Sequence, residues 1–592
     1  MAKQKISNSA IFLCFLLCAC GPSKTNKCSH HVCIEKGVDA TCLEPGMTEK
    51  KYCDICGEVF SDHEEIKPHG HNVVHIPELE AGIQYKGYKE WEYCDICGTV
   101  LVEKEETDRI VSKDEVFSKT YENTAYFTIN LHKDNVPHTT DIIVEHSGLE
   151  ERFHLNNSIQ FEYPNMEANT LYRFVFDTRY EDGDFENLID VTRYINTSDP
   201  SLPFVEIETA NTEWPSSLGI KNPYDELSRT QTENNYVYCS LSLFDKNKTK
   251  LFSSYESEDE KFTNARIKLR GNTSVYSEKT PYKLKLASKT DLLKDLLPNR
   301  SAKTYKDKEW ILLAEKSLKT AFGFGVNSYI SGENQLNGQF VEVYVNGDYR
   351  GVYYLCEAVK QGSGSGAKQS RVAIDDDGFI VENDHYWWNE DVHFKTNFSS
   401  LKHAYTFKYP DSDDVEDYQI EYIKNKIIDF ENIILNNDQS YTDLIEVESF
   451  SAWLLTHDLL GTFDSDGSNI YITKKDSADS KLKMGPCWDF DSIKRIELNG
   501  FCNARTNEDL YFAKLLEYES FMESYYSIFD AKKDDLISTI ETQFLQYPIG
   551  ELNNAISCED LRWSTQSQSC MSFYEGMLEY LQGKIEFINS SR

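Results

Sequence analysis

The feature that most constrains this chain is a change in the spacing of its apolar residues near residue 415. Before that point, apolar and polar residues alternate in short runs, which is typical of β-strands with one buried face. After it, the run "VEDYQIEYIKNKIIDFENIIL" repeats apolar residues at i, i+3, i+4 and i+7, the pattern of an amphipathic helix. The sequence therefore predicts an α+β fold in which a strand-rich part precedes a helix-rich part. Two such lobes with a cleft between them would suit a nucleotide.

Length and charge narrow the classes of protein further. The chain has 592 residues, too many for one hydrophobic core, so we expect a multi-domain protein. Its 61 lysine and arginine residues against 98 aspartate and glutamate residues give a formal charge of −37. Such a chain repels nucleic-acid phosphates and has no basic stripe to offset that repulsion. We therefore expect no nucleic-acid partner.

The first residues, "MAKQKISNSAIFLCFLLCACG", have the layout of a signal peptide, with two lysines, a short apolar run and then small residues. The stretch from Leu17 to Cys20 resembles a bacterial lipobox, which implies a signal peptide over residues 1–20 and a lipid on Cys20. The alternative is plain secretion with cleavage nearby. No later stretch is apolar for long enough to span a bilayer. We expect a cell-envelope protein that faces away from the cytoplasm and contacts the membrane only through its lipid anchor.

Seven of the sixteen cysteines fall between residues 28 and 97, inside an internal duplication. The run "EKKYCDICGEV" matches "EWEYCDICGTV", and aligning Cys53 on Cys94 gives an offset of 41 residues. The same offset places His30 on His71. The sequence therefore predicts two small zinc-ribbon-like repeats over residues 21–104.

Each repeat is a candidate structural zinc site, because a Cys-x-x-Cys turn aims two thiolates at one ion. The first copy offers one nitrogen and three sulfurs, from His30, Cys42, Cys53 and Cys56. The second copy offers His71, Cys94 and Cys97. Because Ile83 aligns with Cys42, a fourth ligand there would have to be His69 or His75. The alternatives are a disulfide within each Cys-x-x-Cys pair, or a redox pair, which the absence of a strand–helix context disfavours.

Residues 108–198 alternate in short apolar runs such as "AYFTINLH", "TDIIVEH" and "LYRFVFDTRY", separated by polar turns. This pattern predicts antiparallel strands packed as a β-sandwich. The run "MEANTLYRFVF" followed by "RYINT" resembles the late strands of a fibronectin type III domain. Such modules usually space or bind, so no catalysis is assigned to this region.

Two local patterns beyond residue 203 predict structure without chemistry. Asn346-Gly347 lies between alternating apolar runs and predicts a tight β-hairpin. The glycine-rich run "QGSGSGAKQS", residues 361–370, is not a Walker A loop, because Lys368 is followed by Gln369 instead of serine or threonine. We interpret that run as a flexible surface loop.

One spacing raises a catalytic hypothesis. Phosphoryl transfer needs a carboxylate at the acceptor hydroxyl and hard oxygen ligands for magnesium. Asp464-x-x-x-x-Asn469 has the spacing of a protein-kinase catalytic loop, and Asp489-Phe490-Asp491 follows where a metal-binding aspartate would end a strand. Spacing alone is weak, because an acidic chain contains many such pairs in surface loops.

A wider set of motifs carries a resemblance. In this order, the chain contains "KLRGNTS", "KTPYKLKL", "EWILLA", "VEVYVNGDYRGVYYLCEAVK", "DGFIVEND", "SFSAWLLTHDLLGTFDSDGSNIYITK" and "MGPCWDFD". Together they resemble the spore coat protein H (CotH) kinase family from about residue 205 to 590. The resemblance implies an atypical, two-lobed protein-kinase-like domain over residues 203–592 that uses ATP with Mg²⁺ or Mn²⁺ to phosphorylate a protein outside the cytoplasm.

The resemblance also implies roles for single residues. Asp464 would orient the acceptor hydroxyl, Asn469 and Asp489 would bind the metal, and Asp491 would support a second metal or the first metal's ligands. Lys283 and Lys285, which share one face of a strand, are candidates for the phosphate-binding lysine, and Lys285 is favoured.

Two further positions would complete the nucleotide site. Glu357 would pair with that lysine or contact the nucleotide. Arg270 with Gly271, Asn272 and Thr273 would line the phosphates, because backbone N–H groups in a glycine turn suit anions. For Glu357 and Arg270, a structural ion pair between the lobes remains the alternative.

The chain departs from the family in one segment. Relatives carry an Arg-Asn pair that opens a helix after "WILLA", where this chain has Gly323 and Phe324 in "EKSLKTAFGFGVNSYI". Three functions therefore stay open: an active surface kinase with a protein acceptor, a pseudokinase that binds nucleotide without transfer, and a scaffold for surface interactions.

Overall fold

The computed structural model describes residues 29–592 except 77, 79–86, 95–96, 98, 108–113, 122, 134–135, 168–169, 183–186, 196–199, 211–214, 216–235, 272–273, 298–305, 333–335, 361–377, 388–389, 391, 397–403, 413, 466–468, 476–480, 508–510 and 546. Cys20 and the run 361–370 therefore lie outside the described residues. The chain divides into two compact units, Met1–Ile110 and Val111–Arg592. The described part contains no helix that is both long and apolar enough to cross a bilayer.

The N-terminal unit consists of short strands in small antiparallel sheets. The strands are β1 Val32–Glu35, β2 Gly46–Met47, β3 Lys50–Cys53, β4 Val59–Ser61, β5 Glu65–Ile66, β6 Val73–Ile76, β7 Gly87–Tyr88, β8 Trp91–Cys94, β9 Val100–Val102 and β10 Glu106–Thr107. Two three-stranded sheets, β1-β3-β4 and β6-β8-β9, repeat the same arrangement. Val32 pairs with Cys53 in the first and Val73 with Cys94 in the second, so the 41-residue offset of the sequence recurs as an offset in strand register.

The C-terminal unit begins with a β-sandwich, as the alternation predicts. Its strands are β11 Glu115–Tyr121, β12 Thr124–Asn130, β13 His138–His146, β14 Leu149–Asn156, β15 Gln160–Tyr163, β16 Thr170–Tyr180 and β17 Asn187–Ile195. The antiparallel sheets β11-β12-β15 and β14-β13-β16-β17 enclose one core. Inside it, Phe127 lies 4.6 Å from Phe174 and 5.2 Å from Phe176, ring centre to ring centre. The alternating inward residues of both sheets build this core.

The following strands close into a barrel-like sheet. They are β18 Phe204–Thr209, β19 Val237–Phe244, β20 Lys250–Ser253, β21 Ala265–Leu269, β22 Tyr282–Thr290, β23 Asp307–Leu313, β24 Gly338–Val345 and β25 Asp348–Glu357. The order is β18-β24-β25-β23-β22-β21-β19-β20, and β18 also pairs with β19, which closes the ring. Alternate residues fill the interior, such as Leu284 and Leu312, so Lys283, Lys285 and Glu309 lie on the outer face.

The hairpin predicted at Asn346-Gly347 is confirmed. Val345 pairs with Asp348 across a two-residue turn in which both Asn346 (φ 51°) and Gly347 (φ 77°) have positive φ. A Cβ at Gly347 would lie 1.9 Å from the Thr120 carbonyl oxygen, and the Thr120 N–H donates to the Asn346 carbonyl at 2.6 Å. The glycine therefore also lets the sandwich strand β11 approach the barrel.

A second sheet and the helices complete the unit. The strands are β26 Phe379–Asp384, β27 His393–Phe394, β28 Ala404–Tyr409, β29 Ile470–Lys474 and β30 Leu482–Met484, in the order β27-β28-β26-β29-β30. The helices are α1 Lys319–Ser331, α2 Asp417–Leu435, α3 Tyr441–Leu444, α4 Val447–Leu460, α5 Phe512–Leu515, α6 Glu519–Phe544, α7 Ile549–Trp563 and α8 Cys570–Ser590. One large apolar core joins this sheet, the helices and the outer face of the barrel. The multi-domain α+β fold and the helical change near residue 415 are thus confirmed.

Candidate active site and cysteine clusters

The β29–β30 hairpin brings together two residues that are twenty positions apart. Asn469 immediately precedes β29, and the chain returns along β30 to Asp489. The Asn469 side-chain amide donates to the Asp489 carboxylate at 3.3 Å. Both residues have left-handed backbones, with φ of 63° and 64°, a conformation that Asn and Asp tolerate better than most residues. The two predicted metal ligands therefore lie side by side.

Asp464 is held next to them by the end of a buried helix. Helix α4 ends at Gly461 (φ 57°), where a Cβ would lie 1.8 Å from the Tyr580 hydroxyl oxygen, so only glycine allows the chain to turn here. Three residues later, the Asp464 N–H donates to the Ser492 hydroxyl at 3.0 Å. This bond fixes the Asp464 segment to the segment that carries Asp489 and Asp491.

Two carboxylates of this group, those of Asp464 and Asp489, have raised pKa values. Burial and the negative charge of Asp491 raise the pKa of Asp464. Burial, together with the charge of Asp491 and the weaker effect of Asp464, raises the pKa of Asp489 to about 6, although Arg270 opposes the shift. Neighbouring carboxylates with raised pKa values mark a candidate functional site. They favour a cation that would neutralise them.

Two acidic residues of the site were missed from the sequence. Glu382 and Asp384 lie on β26, and the Glu382 carboxylate accepts the Asn469 N–H at 2.9 Å. Burial and the charge of Glu382 raise the pKa of Asp384 to about 7. The alternation of "VEND", with acids at i and i+2 of a strand, was a signal that both side chains face one way.

A partly buried lysine partly neutralises the charge of this pair. The Lys408 ammonium on β28 lies 3.0 Å from the Glu382 carboxylate. Burial lowers the pKa of Lys408, but the charges of Glu382, Glu390 and Asp384 outweigh burial and raise it. Lys408 therefore stays a cation beside Glu382.

Arg270 approaches the site from the end of β21. Its guanidinium lies 5.7 Å from the centre of the ring of Trp488, the residue that precedes Asp489 in the chain. The positive charge of Arg270 opposes the rise in the pKa of Asp489. Gly271 has a φ of 96°, and a Cβ there would lie 2.1 Å from the Ser274 hydroxyl oxygen. Asn272 and Thr273 lie outside the described residues.

The structure gives the two candidate lysines different surroundings. The Lys283 ammonium lies 3.1 Å from the Glu309 carboxylate, which also contacts Lys360 at 2.6 Å. Burial lowers the pKa of Lys283, and the positive charges of Lys360 and Lys408 lower it further, whereas the charge of Glu309 raises it. Lys283 therefore lies close to the other cations of the site. Lys285 lies on the same outer face, opposite Glu309 in the strand register.

The carboxylate that pairs with Lys283 is therefore that of Glu309. Glu309 was not predicted from the sequence. Despite burial, Lys283 and Lys360 lower the pKa of Glu309 to about 2. Glu357 is fully buried, and its carboxylate accepts the Asn337 backbone N–H at 3.0 Å. The pairing of β22 with β23, which the sequence does not specify, puts Lys285 directly opposite Glu309 and Lys283 two residues away on the same face of β22.

The segment of α1 that contains Gly323 and Phe324 packs beneath the Asp489-Phe490-Asp491 motif. A Cβ at Gly323 in α1 would lie 2.2 Å from Cγ of Phe490, so the ring rests directly on the glycine. Phe324 contacts Phe490 edge-on, with ring centres 5.8 Å apart, and the Lys319 ammonium donates to the Asp491 carbonyl at 2.6 Å. Helix α1 therefore helps to position both aspartates of the motif.

The donor set fits a magnesium or manganese ion. Asn469 and Asp489 are amide and carboxylate oxygen donors within contact of each other, and further carboxylates surround them. Hard oxygen ligands of this kind suit Mg²⁺ and Mn²⁺. Burial and then the charge of Asp491 raise the pKa of Asp489 in spite of Arg270, so a bound divalent cation would offset this repulsion.

The cysteines of the N-terminal unit group differently from the sequence alignment. One cluster contains Cys42, His71, Cys94 and Cys97, and another contains His30, Cys53 and Cys56. A third group, His31, Cys33 and Asp54, is largely exposed. Cys42 thus lies with the second copy instead of the first. His75, proposed as a substitute ligand, lies beside Glu92 at 3.3 Å. These clusters could hold metal.

Comparison with known proteins identifies the family. No curated protein matches the chain. The model of the family described as CotH kinase protein matches residues 267–587, which is more than half of the chain and spans Arg270, Lys283, Asp464, Asn469 and Asp489. The family indicates a kinase-like function and implies ATP and a divalent metal. The chain belongs to the CotH kinase family.

Proposed function

We propose that this protein is an ATP- and divalent-metal-dependent kinase that phosphorylates serine or threonine of a surface protein outside the cytoplasm. The observation that carries the proposal is the convergence of Asn469, Asp489 and Asp464 at the end of the β29–β30 hairpin. Asn469 and Asp489 would hold Mg²⁺ or Mn²⁺, which neutralises phosphate charge during transfer.

Asp464 would act on the acceptor. Desolvation together with the charge of Asp491 raises the pKa of Asp464, so it would be a better proton acceptor than an ordinary aspartate. It would orient the hydroxyl and accept its proton. Asp491, Glu382 and Asp384 would keep the surroundings acidic and hold the metal ligands in place.

The cations on the other side of the cleft would bind the nucleotide. Arg270 carries a fixed positive charge close to Asp489, and Lys283 and Lys408 are partly buried ammonium groups. Phosphate oxygens of ATP are the anions that such a group would attract. Gly271, with its positive φ, leaves the backbone open to approach by a phosphate.

The test is phosphoryl transfer by the purified full chain with labelled ATP and either Mg²⁺ or Mn²⁺. Asp464→Ala and Asp489→Ala should each reduce labelling by at least about a hundredfold, because each removes a group that stabilises the transition state. The matched control is Asp429→Ala, an exposed carboxylate on α2, which should leave labelling unchanged. Near-normal labelling in Asp489→Ala would refute the metal assignment.

A second candidate is a pseudokinase that binds nucleotide without transfer. The observation that favours it is the packing of α1, where Gly323 and Phe324 meet Phe490 in place of the Arg-Asn pair of relatives. A wild-type chain whose melting temperature rises with ATP and Mg²⁺, but which labels neither itself nor an added acceptor, would support this candidate over the kinase. A chain that binds no nucleotide would instead favour a surface scaffold.

The membrane anchor is a separate part of the proposal. Lipidation of Cys20 would hold the protein on the cell envelope, facing its acceptor protein, and the N-terminal unit would serve as a metal-stabilised spacer. Cys20→Ser should shift the protein from the membrane fraction to the soluble fraction of cells while leaving labelling activity intact. Membrane retention of Cys20→Ser would contradict lipid anchoring.

A further inference from the structure

The cluster of Cys42, His71, Cys94 and Cys97 has the composition of a closed structural zinc site. It contains three sulfurs and one imidazole, and all four ligand atoms lie within 4.8 Å of one another. Structural zinc is bound by four such ligands, whereas catalytic zinc keeps one position for water. The set is therefore complete without any further residue.

The distances between the ligand atoms match those of tetrahedral zinc coordination. With Zn–S of about 2.3 Å and tetrahedral angles, two sulfurs lie about 3.8 Å apart, and a sulfur and a nitrogen about 3.6 Å apart. The Cys42 and Cys94 sulfurs are 3.7 Å apart, and the Cys97 sulfur lies 3.4 Å from Nδ1 of His71. A disulfide needs sulfurs about 2.05 Å apart, so these cysteines are not bonded to each other.

The ligands come from both copies of the duplication. Cys42 belongs to the first copy and follows β1, whereas His71 precedes β6, and Cys94 and Cys97 flank the Cys-x-x-Cys turn after β8. The residue that aligns with Cys42 in the second copy is Ile83, so the second copy cannot complete its own site from that position. The first copy supplies the missing thiolate.

Backbone contacts hold the donated cysteine in place. The Gly70 N–H donates to the Cys42 carbonyl at 3.0 Å, and the His69 N–H donates to the Thr41 carbonyl at 3.1 Å. The Thr41 hydroxyl in turn accepts the Glu44 N–H at 2.9 Å, which fixes the turn around Cys42. The Cys42 side chain is only 4% exposed. Backbone hydrogen bonds therefore hold Cys42 close to the second copy, independently of any bond that its sulfur makes.

The geometry points to one Zn²⁺ bound by Cys42, His71, Cys94 and Cys97 that staples the two N-terminal repeats together. Binding releases the thiol protons of the three cysteines and leaves a complex of net charge −1 with neutral His71. The Thr99 hydroxyl lies 3.2 Å from the Cys97 sulfur and would support that ligand. The remaining residues His30, Cys53 and Cys56 form a separate group of three ligands, with His30 Nδ1 3.5 Å from the Cys56 sulfur.

The first test measures zinc bound to the purified full chain by elemental analysis after treatment with a weak chelator. Cys42→Ser and Cys97→Ser should each lose one zinc equivalent relative to the parent, and the double variant should lose no more than either single one. Leu43→Ser is the matched control, because Leu43 is 72% exposed in the same turn and offers no ligand in the cluster. Cys56→Ser should leave this zinc in place. Full zinc content in Cys42→Ser would overturn the shared site.

A second test needs no variant and so does not depend on whether a serine variant folds. The zinc-loaded full chain and the same chain after EDTA are treated with an alkylating reagent, and the modified cysteines are located by mass spectrometry. Cys42, Cys94 and Cys97 should be protected together in the loaded protein and become reactive together after EDTA. Equal reactivity of Cys42 in both samples, or a Cys42–Cys94 disulfide in the zinc-loaded chain, would overturn the proposal.

Discussion

The two units of this protein are stabilised by different means. Among the described residues of the N-terminal unit, only Cys42, Gly46, Cys53 and Cys94 are buried, and apolar side chains such as Ile34 and Ile55 lie 57% and 68% exposed. The C-terminal unit instead encloses three apolar cores, one in the sandwich, one inside the barrel and one among the helices.

The difference shows what cysteine does in each unit. A small unit made of strands of two to four residues cannot bury enough apolar surface to fold on that basis alone. Its buried sulfurs take the place of a core, provided that they bind metal. In the C-terminal unit, Cys239 and Cys356 are buried among apolar side chains and act as small hydrophobic residues. Metal is therefore expected to stabilise the fold of the N-terminal unit and to take part in catalysis in the C-terminal unit.

Removal of metal should have the largest effect and should separate the two units. Chelation is expected to unfold the N-terminal unit, because structural zinc contributes about 10 kcal/mol or more to folding. The C-terminal unit should keep its fold, because its cores need no ion. Hydrogen exchange with and without EDTA checks this: protection should vanish in residues 29–107 and persist in β22 and α4. Parallel loss of protection in both units would remove the distinction.

Acid should weaken the C-terminal unit through a buried histidine. Burial lowers the pKa of His457 from 6.5 to about 3, so between these values the unfolded state binds a proton that the folded state does not. Through His457 alone, the free energy of unfolding should therefore fall by up to about 1.4 kcal/mol for each pH unit below 6.5. The asparagine side chain in His457→Asn is neutral at every pH, so this variant should lose the contribution of His457 to the pH dependence of stability.

The measurement for His457 is urea unfolding of wild type and variant from pH 7 to pH 4. The Asn variant should be less stable than wild type at pH 7, because it leaves a cavity, and the gap should narrow as the pH falls. The exposed His154→Asn is the control and should run parallel to wild type. A gap in His457→Asn that stays constant with pH would show that the group does not remain neutral in the folded protein.

A single methyl group on α1 should disturb the catalytic motif. Gly323→Ala places a carbon 2.2 Å from Cγ of the buried Phe490, so the ring must move, at a cost of about 1–3 kcal/mol. Because Phe490 lies between Asp489 and Asp491, labelling activity should fall as well. Gly325→Ala is the matched control on the same helix, where the new carbon meets the flexible end of Gln543, and it should be neutral or slightly stabilising. Unchanged stability and activity in Gly323→Ala would contradict the close packing.

The smallest effect should come from the apolar surface of the N-terminal unit. Ile55→Ala should change stability by less than about 0.5 kcal/mol, because its side chain is already largely in water. The counterpart in the barrel core, Leu312→Ala, should cost about 2–5 kcal/mol because Leu312 is fully buried. Thermal unfolding of the zinc-loaded chain checks both. A large effect of Ile55→Ala would mean that this unit depends on apolar contacts after all.

Much of the fold was predictable because it depends on short-range patterns. The Asn346-Gly347 hairpin, the amphipathic helix α2 and the alternating strands of the sandwich all follow from residues a few positions apart. Glu382, Asp384 and Glu309 were missed for a different reason. Each gains its role from the strand that pairs beside it, and the sequence does not specify which strands pair.

By itself, the sequence determined the family, the change from strands to helices, the duplication and the candidate residues Asp464, Asn469 and Asp489. Only the tertiary structure decided which of those groups touch. In the tertiary structure, Asn469 donates to Asp489 and the Phe490 ring packs against Gly323. Cys42 lies with the candidate ligands of the second repeat instead of those of the first. The physical reason is that local backbone preferences act over a few residues, whereas these contacts join segments 20 to more than 160 residues apart and form only when buried surfaces and hydrogen bonds of distant elements fit together.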